Sequence, residues 1–391
     1  MGEGVLWNSF FCKVRLDMKN LELYIHIPFC IKKCEYCDFL SGPSTEKQRE
    51  TYVELLCKEI RQAKSKTSTY EVSTIFFGGG TPSVLTGNQM RKIMETIRDT
   101  FYISKCAEIS MEMNPGTVCP EKMNAYKEAG INRLSIGLQS VHDEELRMLG
   151  RIHTYEEFLK CYRMAREAGF NNINVDLISA IPGQTVESWT RTLKTILELE
   201  PEHISAYSLI IEPGTPFYDK YGESEEGLPS EEEERQIYWN TKQLMEEYGY
   251  HRYEISNYAK EGYECRHNIG YWNRTPYLGF GIGAASLFEE TRYSNFETVE
   301  AWGQNFEGKF QGDALSVEEQ MEESMFLGLR MMNGVSKTEF ETKFCKNIKE
   351  IYGKQLEKLV ELGLVEENED RIYLTERGID ISNAVFVEFM L

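Results

Sequence analysis

Between residues 20 and 210 the chain repeats one pattern: a short apolar run, a turn, then an amphipathic stretch. The first run ends in Tyr24-Ile25-His26-Ile27-Pro28-Phe29. From Thr45 to about Lys64, apolar Tyr52, Leu55, Leu56 and Ile60 recur at helical spacing. Residues 73–77 read as a second strand, closed by Gly78-Gly79-Gly80-Thr81-Pro82, and Thr86 with Gln89 makes a capping box for the next helix. Residues 108–113 alternate polar and apolar side chains, as a strand with two unlike faces does. Residues 133–139, 173–178 and 203–209 are strands four to six. Thr154 and Glu157 open the helix before the fifth, and Gly169 closes it. Strand and helix in alternation predict parallel, right-handed βαβ units. Six such units fall short of the eight of a closed barrel. The expectation is an α/β fold with an open, partial (β/α)6 barrel over residues 18–216.

Glu212-Pro213-Gly214-Thr215-Pro216 breaks the alternation. Residues 217–314 read as a connector with further strand and helix. In it Ser230 and Glu233 cap a helix whose first-turn carboxylates suit the helix dipole. From about Val317 two helical patterns precede a hairpin over 363–375, which predicts a small winged-helix-like α+β domain at 315–391. That segment carries 16 Asp and Glu against 9 Lys and Arg, the wrong sign for phosphate contacts, so nucleic acid is not an expected partner. Residues 1–17 show no period and read as an extension without a role.

At 391 residues the chain exceeds the size of a single core, consistent with two or more domains. Its net charge of −20 also argues against a general nucleic-acid binder. The ten cysteines form no even framework, which predicts a reducing, cytoplasmic setting. Cys12, Cys57, Cys106, Cys119, Cys161, Cys265 and Cys345 are most simply packing residues. No apolar run reaches 18 residues, so at most peripheral membrane contact is expected.

Cys30, Cys34 and Cys37 are spaced C-x3-C-x2-C directly after the first strand. Thiolates are soft ligands suited to iron–sulfur clusters and zinc. A structural zinc would take four protein ligands, whereas a cubane on three cysteines leaves one iron open to another molecule. A zinc knuckle with a distant fourth ligand, or three unrelated buried cysteines, are the alternatives. Other candidates fall at the C-terminal ends of strands, where parallel barrels gather their active-site groups. Gly80 and Thr81 end the second strand, Glu112 the third and Gln139 the fourth, while Asp176 lies on the fifth. A carboxylate aimed into a barrel needs a partner to offset desolvation. For Glu112 that partner is a ligand's hydroxyls or ammonium, or else Arg133.

The cysteine spacing, with Tyr24-Ile25-His26-Ile27-Pro28-Phe29-Cys30 and Cys37-Asp38-Phe39 around it, resembles the radical S-adenosylmethionine superfamily. Within it the chain is similar to the subgroup of oxygen-independent coproporphyrinogen III oxidase and HemW-type heme chaperones. The resemblance runs to about Ser286, with a weaker echo to the C-terminus. It implies a [4Fe-4S] cluster on Cys30, Cys34 and Cys37, with S-adenosyl-L-methionine on the open iron as the source of an adenosyl radical. It also assigns Gly80 and Thr81 to S-adenosylmethionine and sets Tyr24 and Tyr36 beside its nucleoside. Gln139, Arg151 and Asp176 match residues for a second S-adenosylmethionine molecule or whatever replaces it. Cys265-Arg266-His267-Asn268-Ile269-Gly270-Tyr271-Trp272 resembles the H-N-x-x-Y-W stretch of the chaperone branch, which implies heme, with His267 as an iron ligand and Arg266 near a propionate. Many relatives carry histidine where this chain has Ala285. The oxidase branch has a further cysteine two residues after the third, where this chain has Phe39, and a longer arm before the cluster. The resemblance therefore implies a heme chaperone that delivers heme to an acceptor protein, a respiratory protein among the candidates. The alternatives are the oxidase itself or a radical enzyme acting on some other substrate.

Overall fold

The computed structural model describes residues 18–224, 227–306 and 312–390, so the expectation about residues 1–17, Cys12 included, lies outside the described residues. Strands β1 (Lys19–Ile27), β2 (Tyr70–Gly79), β3 (Tyr102–Met113), β4 (Arg133–Gln139), β5 (Ile173–Ser179) and β6 (His203–Ser208) pair in that order, all parallel. Helices Glu46–Gln62, Gly87–Thr100, Pro120–Glu128, Tyr155–Glu167 and Val186–Leu197 make the crossovers. Thr45, Thr86, Thr154 and Thr185 each close a reciprocal capping box at a helix start. Losing one such cap costs about 1 kcal/mol.

The alternation of side chains along these strands separates two interiors. On one face Leu21, Leu23, Ile25 and Ile27 of β1 join Ile75, Phe77, Met111 and Leu134 in a continuous apolar core with the helices. The other face lines the barrel, and it is polar: Glu22, Thr74, Glu108, Arg133, Asn174 and His203 are all buried. Burying such groups is tolerated when they find partners, and Thr74, Glu108, Asn174 and His203 do. Asn174 Oδ1 meets His203 Nδ1 at 2.6 Å, and His203 Nε2 meets the Tyr253 hydroxyl at 2.9 Å.

The parallel set does not close. β7 (His251–Arg252) and β8 (Asn257–Ala259) extend it antiparallel beyond β6. At the other edge β9 (Tyr277–Phe280) pairs parallel with β1, and β10 (Ala285–Phe288), β11 (Thr291–Ser294) and β12 (Asp313–Ala314) follow antiparallel. The result is one 12-stranded sheet, β12-β11-β10-β9-β1-β2-β3-β4-β5-β6-β8-β7. Glycines at 279, 281 and 283 hide β9 in the sequence. They are required because a Cβ on Gly279 would lie 2.1 Å from the Ala285 carbonyl oxygen, and one on Gly281 2.2 Å from the Tyr52 hydroxyl.

The C-terminal unit has helices Val317–Gly328, Lys337–Phe344 and Ile348–Glu361 and a small antiparallel sheet of β13 (Val335–Ser336), β14 (Val365–Glu367) and β15 (Arg371–Leu374). It keeps its own core, including Met325, Phe340, Tyr352, Ile372 and Phe389. The cysteines divide differently from the expectation. Cys57, Cys161 and Cys265 are buried and pack, but Cys106, Cys119 and Cys345 are exposed and do not.

Candidate functional site

The cysteine loop leaves the end of β1 and is sewn to the end of β2. Gly80 N–H donates to Ile27 O at 2.9 Å and Thr81 N–H to Phe29 O at 2.7 Å. A Cβ on Gly80 would stand 2.8 Å from Phe29 O, so only glycine lets the two segments close up. Gly79 adopts φ +107°, and a Cβ there would come within 2.4 Å of the His26 ring. His26 in turn meets the Leu40 carbonyl at 2.9 Å through Nε2 and holds the far end of the loop. Glu35 N–H donates to Leu149 O at 3.1 Å, which ties the loop to the segment after β4.

Cys30, Cys34 and Cys37 are all half-buried. The Thr81 hydroxyl donates to Cys30 Sγ at 3.4 Å and Arg151 Nη1 to Cys34 Sγ at 3.5 Å. Burial raises the Cys37 thiol, and the neighbouring Cys34 and Cys30 add to it. Among the described residues no three His, Cys, Asp or Glu side chains gather tightly enough to hold a single metal ion. A cubane asks for something else: each thiolate binds a different iron, so the sulfurs stand apart around a common body. Three half-exposed sulfurs on one loop, two of them facing hydrogen-bond donors, fit that group better than a mononuclear zinc.

Asn114 was not singled out by the sequence, yet it joins the two donors. Its Nδ2 donates to Thr81 Oγ1 at 2.8 Å, and its Oδ1 accepts from Arg151 Nη2 at 2.6 Å. Arg151 also donates to the Gly137 carbonyl at 2.6 Å. A polar arc thus runs from Cys30 through Thr81, Asn114 and Arg151 to Cys34. An asparagine after a strand, ahead of Pro115 and Gly116, looks like ordinary turn chemistry, so only the fold reveals the link.

Glu112 receives the Gly79 N–H at 3.1 Å. Burial, with Asp176 adding to it, pushes its carboxyl up to about 8. The Arg133 guanidinium instead feels the charges of Glu108 and Asp176. A carboxyl in this state is poised to gain from a cationic ligand, as an α-ammonium would be. Gln139 sits at φ 79°, in the left-handed region, and its buried Oε1 has no hydrogen-bond partner among the described residues. Strained backbone and an unpaired buried acceptor at a strand's C-terminal end fit a site completed by a ligand. Asp176 accepts from Ser135 at 2.9 Å and from Asn174 at 2.8 Å. The Tyr36 hydroxyl is raised by burial, with the Arg151 charge opposing. Tyr24 places its hydroxyl 3.1 Å from His26 Nδ1 and stacks on Phe76, with ring centroids 6.5 Å apart.

The helix Arg266–Trp272 lies against the polar face of the sheet. Glu108 caps it, accepting the N–H of Arg266 at 3.1 Å and of His267 at 3.3 Å. Gly270 lies against the Glu22 carboxylate, where a Cβ would be 1.9 Å away. His267 is 1% exposed. Its Nδ1 meets the Thr74 hydroxyl at 2.7 Å and its Nε2 the Tyr271 hydroxyl at 3.0 Å, while the ring stacks on Phe76. Burial, with the Arg133 charge, holds the imidazole down to about 3, so the Glu22 oxygen 3.8 Å away faces a neutral ring. Both ring nitrogens are engaged, and in this arrangement neither is free for a metal. Arg266 Nη1 is likewise spent on the Cys106 carbonyl at 2.8 Å.

Residues 24–196 match the Radical SAM superfamily and residues 315–381 the HemN C-terminal domain. The chain is 39% identical over 372 residues to the heme chaperone HemW of Bacillus subtilis, covering 94% of this chain and 98% of that protein. It is 35% identical to the heme chaperone HemW of Escherichia coli, covering 96% and 99%. Among solved structures, coproporphyrinogen III oxidase (HemN) from Escherichia coli, a radical SAM enzyme, superposes with a TM-score of 0.83 at 25% identity, over 98% of this chain and 93% of that one. With the three-cysteine loop, the open parallel sheet and identity of this extent along the whole chain, the protein belongs to the HemW heme-chaperone family of the radical SAM superfamily.

Proposed function

We propose that the chain binds heme and hands it to an acceptor protein, with a [4Fe-4S] cluster on Cys30, Cys34 and Cys37 and S-adenosyl-L-methionine at the open iron. The observation that carries this reading is the near-full-length identity to HemW proteins, 39% in the Bacillus subtilis relative. Phe39 supports it, standing where the oxidase branch has a further cysteine. When bound, the cluster and S-adenosylmethionine supply redox chemistry; the chain itself places and shields them. The loop spends its backbone on β2 and the segment after β4, so the sulfurs are presented before the metal arrives. Thr81 and Arg151 donate toward two of those sulfurs, and such hydrogen bonds tune a cluster's potential. Glu112 and the Gln139 acceptor, unpaired among the described residues, are the groups we assign to the ligand's ammonium and hydroxyls. Tyr24, Tyr36, Gly80 and Asp176 complete that shell.

We place the protein in the cytoplasm. Among the described residues no helix is long and apolar enough to cross a membrane. The acceptor is a heme protein, with respiratory enzymes the class to test first, and any membrane contact is peripheral. The likeness to the oxidase structure favours one second reading, decarboxylation of coproporphyrinogen III. Anaerobic titration of the reconstituted protein with heme and with coproporphyrinogen III, followed by absorption and product analysis, separates the two. Heme uptake without turnover is expected. Conversion of the porphyrinogen establishes the second reading instead.

A further inference from the structure

A cavity of about 460 Å³ lies at the seam between the barrel and the C-terminal unit. That is the size range of small-molecule and cofactor sites. One wall comes from the sheet and the helix inside it, with Tyr24, Tyr271, Trp272 and Tyr277; the facing wall is Phe326 and Leu327 of helix Val317–Gly328. Ala285 and Leu287 lie along β10 between them, and Arg292 and Glu323 mark a charged end.

The aromatic wall is built rather than incidental. Tyr271 packs edge-on against Tyr277, with centroids 4.7 Å apart, and against His267 at the same separation. Its hydroxyl is fixed by His267 Nε2 at 3.0 Å. The buried His267 therefore acts behind the wall, as the group that positions Tyr271. Trp272 is held by the Arg330 guanidinium 4.4 Å above its ring, and its buried ring N–H has no hydrogen-bond partner among the described residues. At the charged end, Arg292 and Arg274 share the one carboxylate of Glu323, each at 2.8 Å. Arg274 is buried and also paired with Glu290 at 2.7 Å, so Arg292 is the guanidinium the cavity presents to an anion.

We propose that this seam cavity holds the tetrapyrrole, its flat ring between the tyrosine wall and Phe326–Leu327 and one propionate at Arg292. The assignment rests on the heme reading above. An aromatic wall facing an apolar pair, Phe326 and Leu327, suits the body of a macrocycle, and a cation at one end suits a ligand that is apolar over its body and acidic at its edge. Because one wall belongs to each unit, occupancy links the barrel to the C-terminal unit. Ala285 has its small side chain on the cavity, where a larger one would narrow it.

Ala285→Trp fills the cavity from an exposed strand position, and Leu327→Trp does so from the opposite wall. In the full-length reconstituted protein each should weaken heme binding by about tenfold or more, read as the heme dissociation constant from the Soret band. Arg292→Ala should weaken it by about tenfold. Iron content and thermal midpoint should stay at the wild-type level, and a variant failing that check is replaced by the one from the other wall. Absence of heme binding by the wild type defeats the heme reading itself. Wild-type binding with unchanged affinity in the variants overturns the location. Loss of S-adenosylmethionine binding in Ala285→Trp, with heme affinity intact, also overturns it and gives the cavity to the nucleoside.

Discussion

Two stretches stand out by motif, the cysteine loop at 30–37 and the helix Arg266–Trp272, and the fold treats them in opposite ways. The loop keeps its sulfurs half-exposed and spends its backbone on neighbouring segments, so the reactive atoms are left over. The helix spends its reactive atoms. His267 has both nitrogens bonded, Arg266 reaches a backbone carbonyl, and Glu108 closes the N-terminus. Similar residue types therefore do different work. In the loop they await a ligand; in the helix they hold a wedge inside a polar barrel, and its far end shapes a cavity. A motif says which side chains matter, and the hydrogen-bond census says whether they are free to react.

The sharpest break of this contrast is Cys34→Ser. A loop that exists to present sulfurs should lose its cluster entirely, with little change in the thermal midpoint of the metal-free protein. Full iron and sulfide content in the variant would remove Cys34 as a ligand. Glu108→Ala should do the reverse, costing about 3 kcal/mol of stability because two helix N–H groups lose their acceptor and the buried Arg133 loses a neighbouring opposite charge. Chemical denaturation of the metal-free protein measures this, and a loss below about 1 kcal/mol means the helix is not held by its cap. The third effect is a pH slope. Glu112 titrates near 8 in the folded chain against an ordinary 4.5, so the folded state keeps a proton that the unfolded state has released. Its contribution to stability is thus full below 4.5 and declines as pH rises to about 8. Glu112→Gln should flatten the fall in thermal midpoint across that window, measured without S-adenosylmethionine. An identical slope in both proteins places the proton elsewhere.

Much of the barrel was legible because βαβ units advertise themselves locally. Capping boxes at Thr86, Thr154 and Ser230 stand where their spacing put them. β9 was not legible, since Gly279 within it answers to the Ala285 carbonyl across a tight turn and Gly281 just after it to Tyr52, a residue near it only in the folded chain. Asn114 was missed for a related reason: its two partners lie 33 and 37 positions away. The exposed Cys106, Cys119 and Cys345 were misjudged because cysteine's preference for burial is an average over proteins.

Periodicity, turn residues and ligand spacing are properties of neighbours along the chain, so the sequence alone determined the parallel units, the small C-terminal unit and the three sulfurs. Which polar groups are left without partners depends on what packs against them from distant segments. Only the tertiary structure decided that the His267 nitrogens are engaged, that the Gln139 oxygen and the Trp272 N–H are unpaired among the described residues, and that a cavity opens where the two units meet.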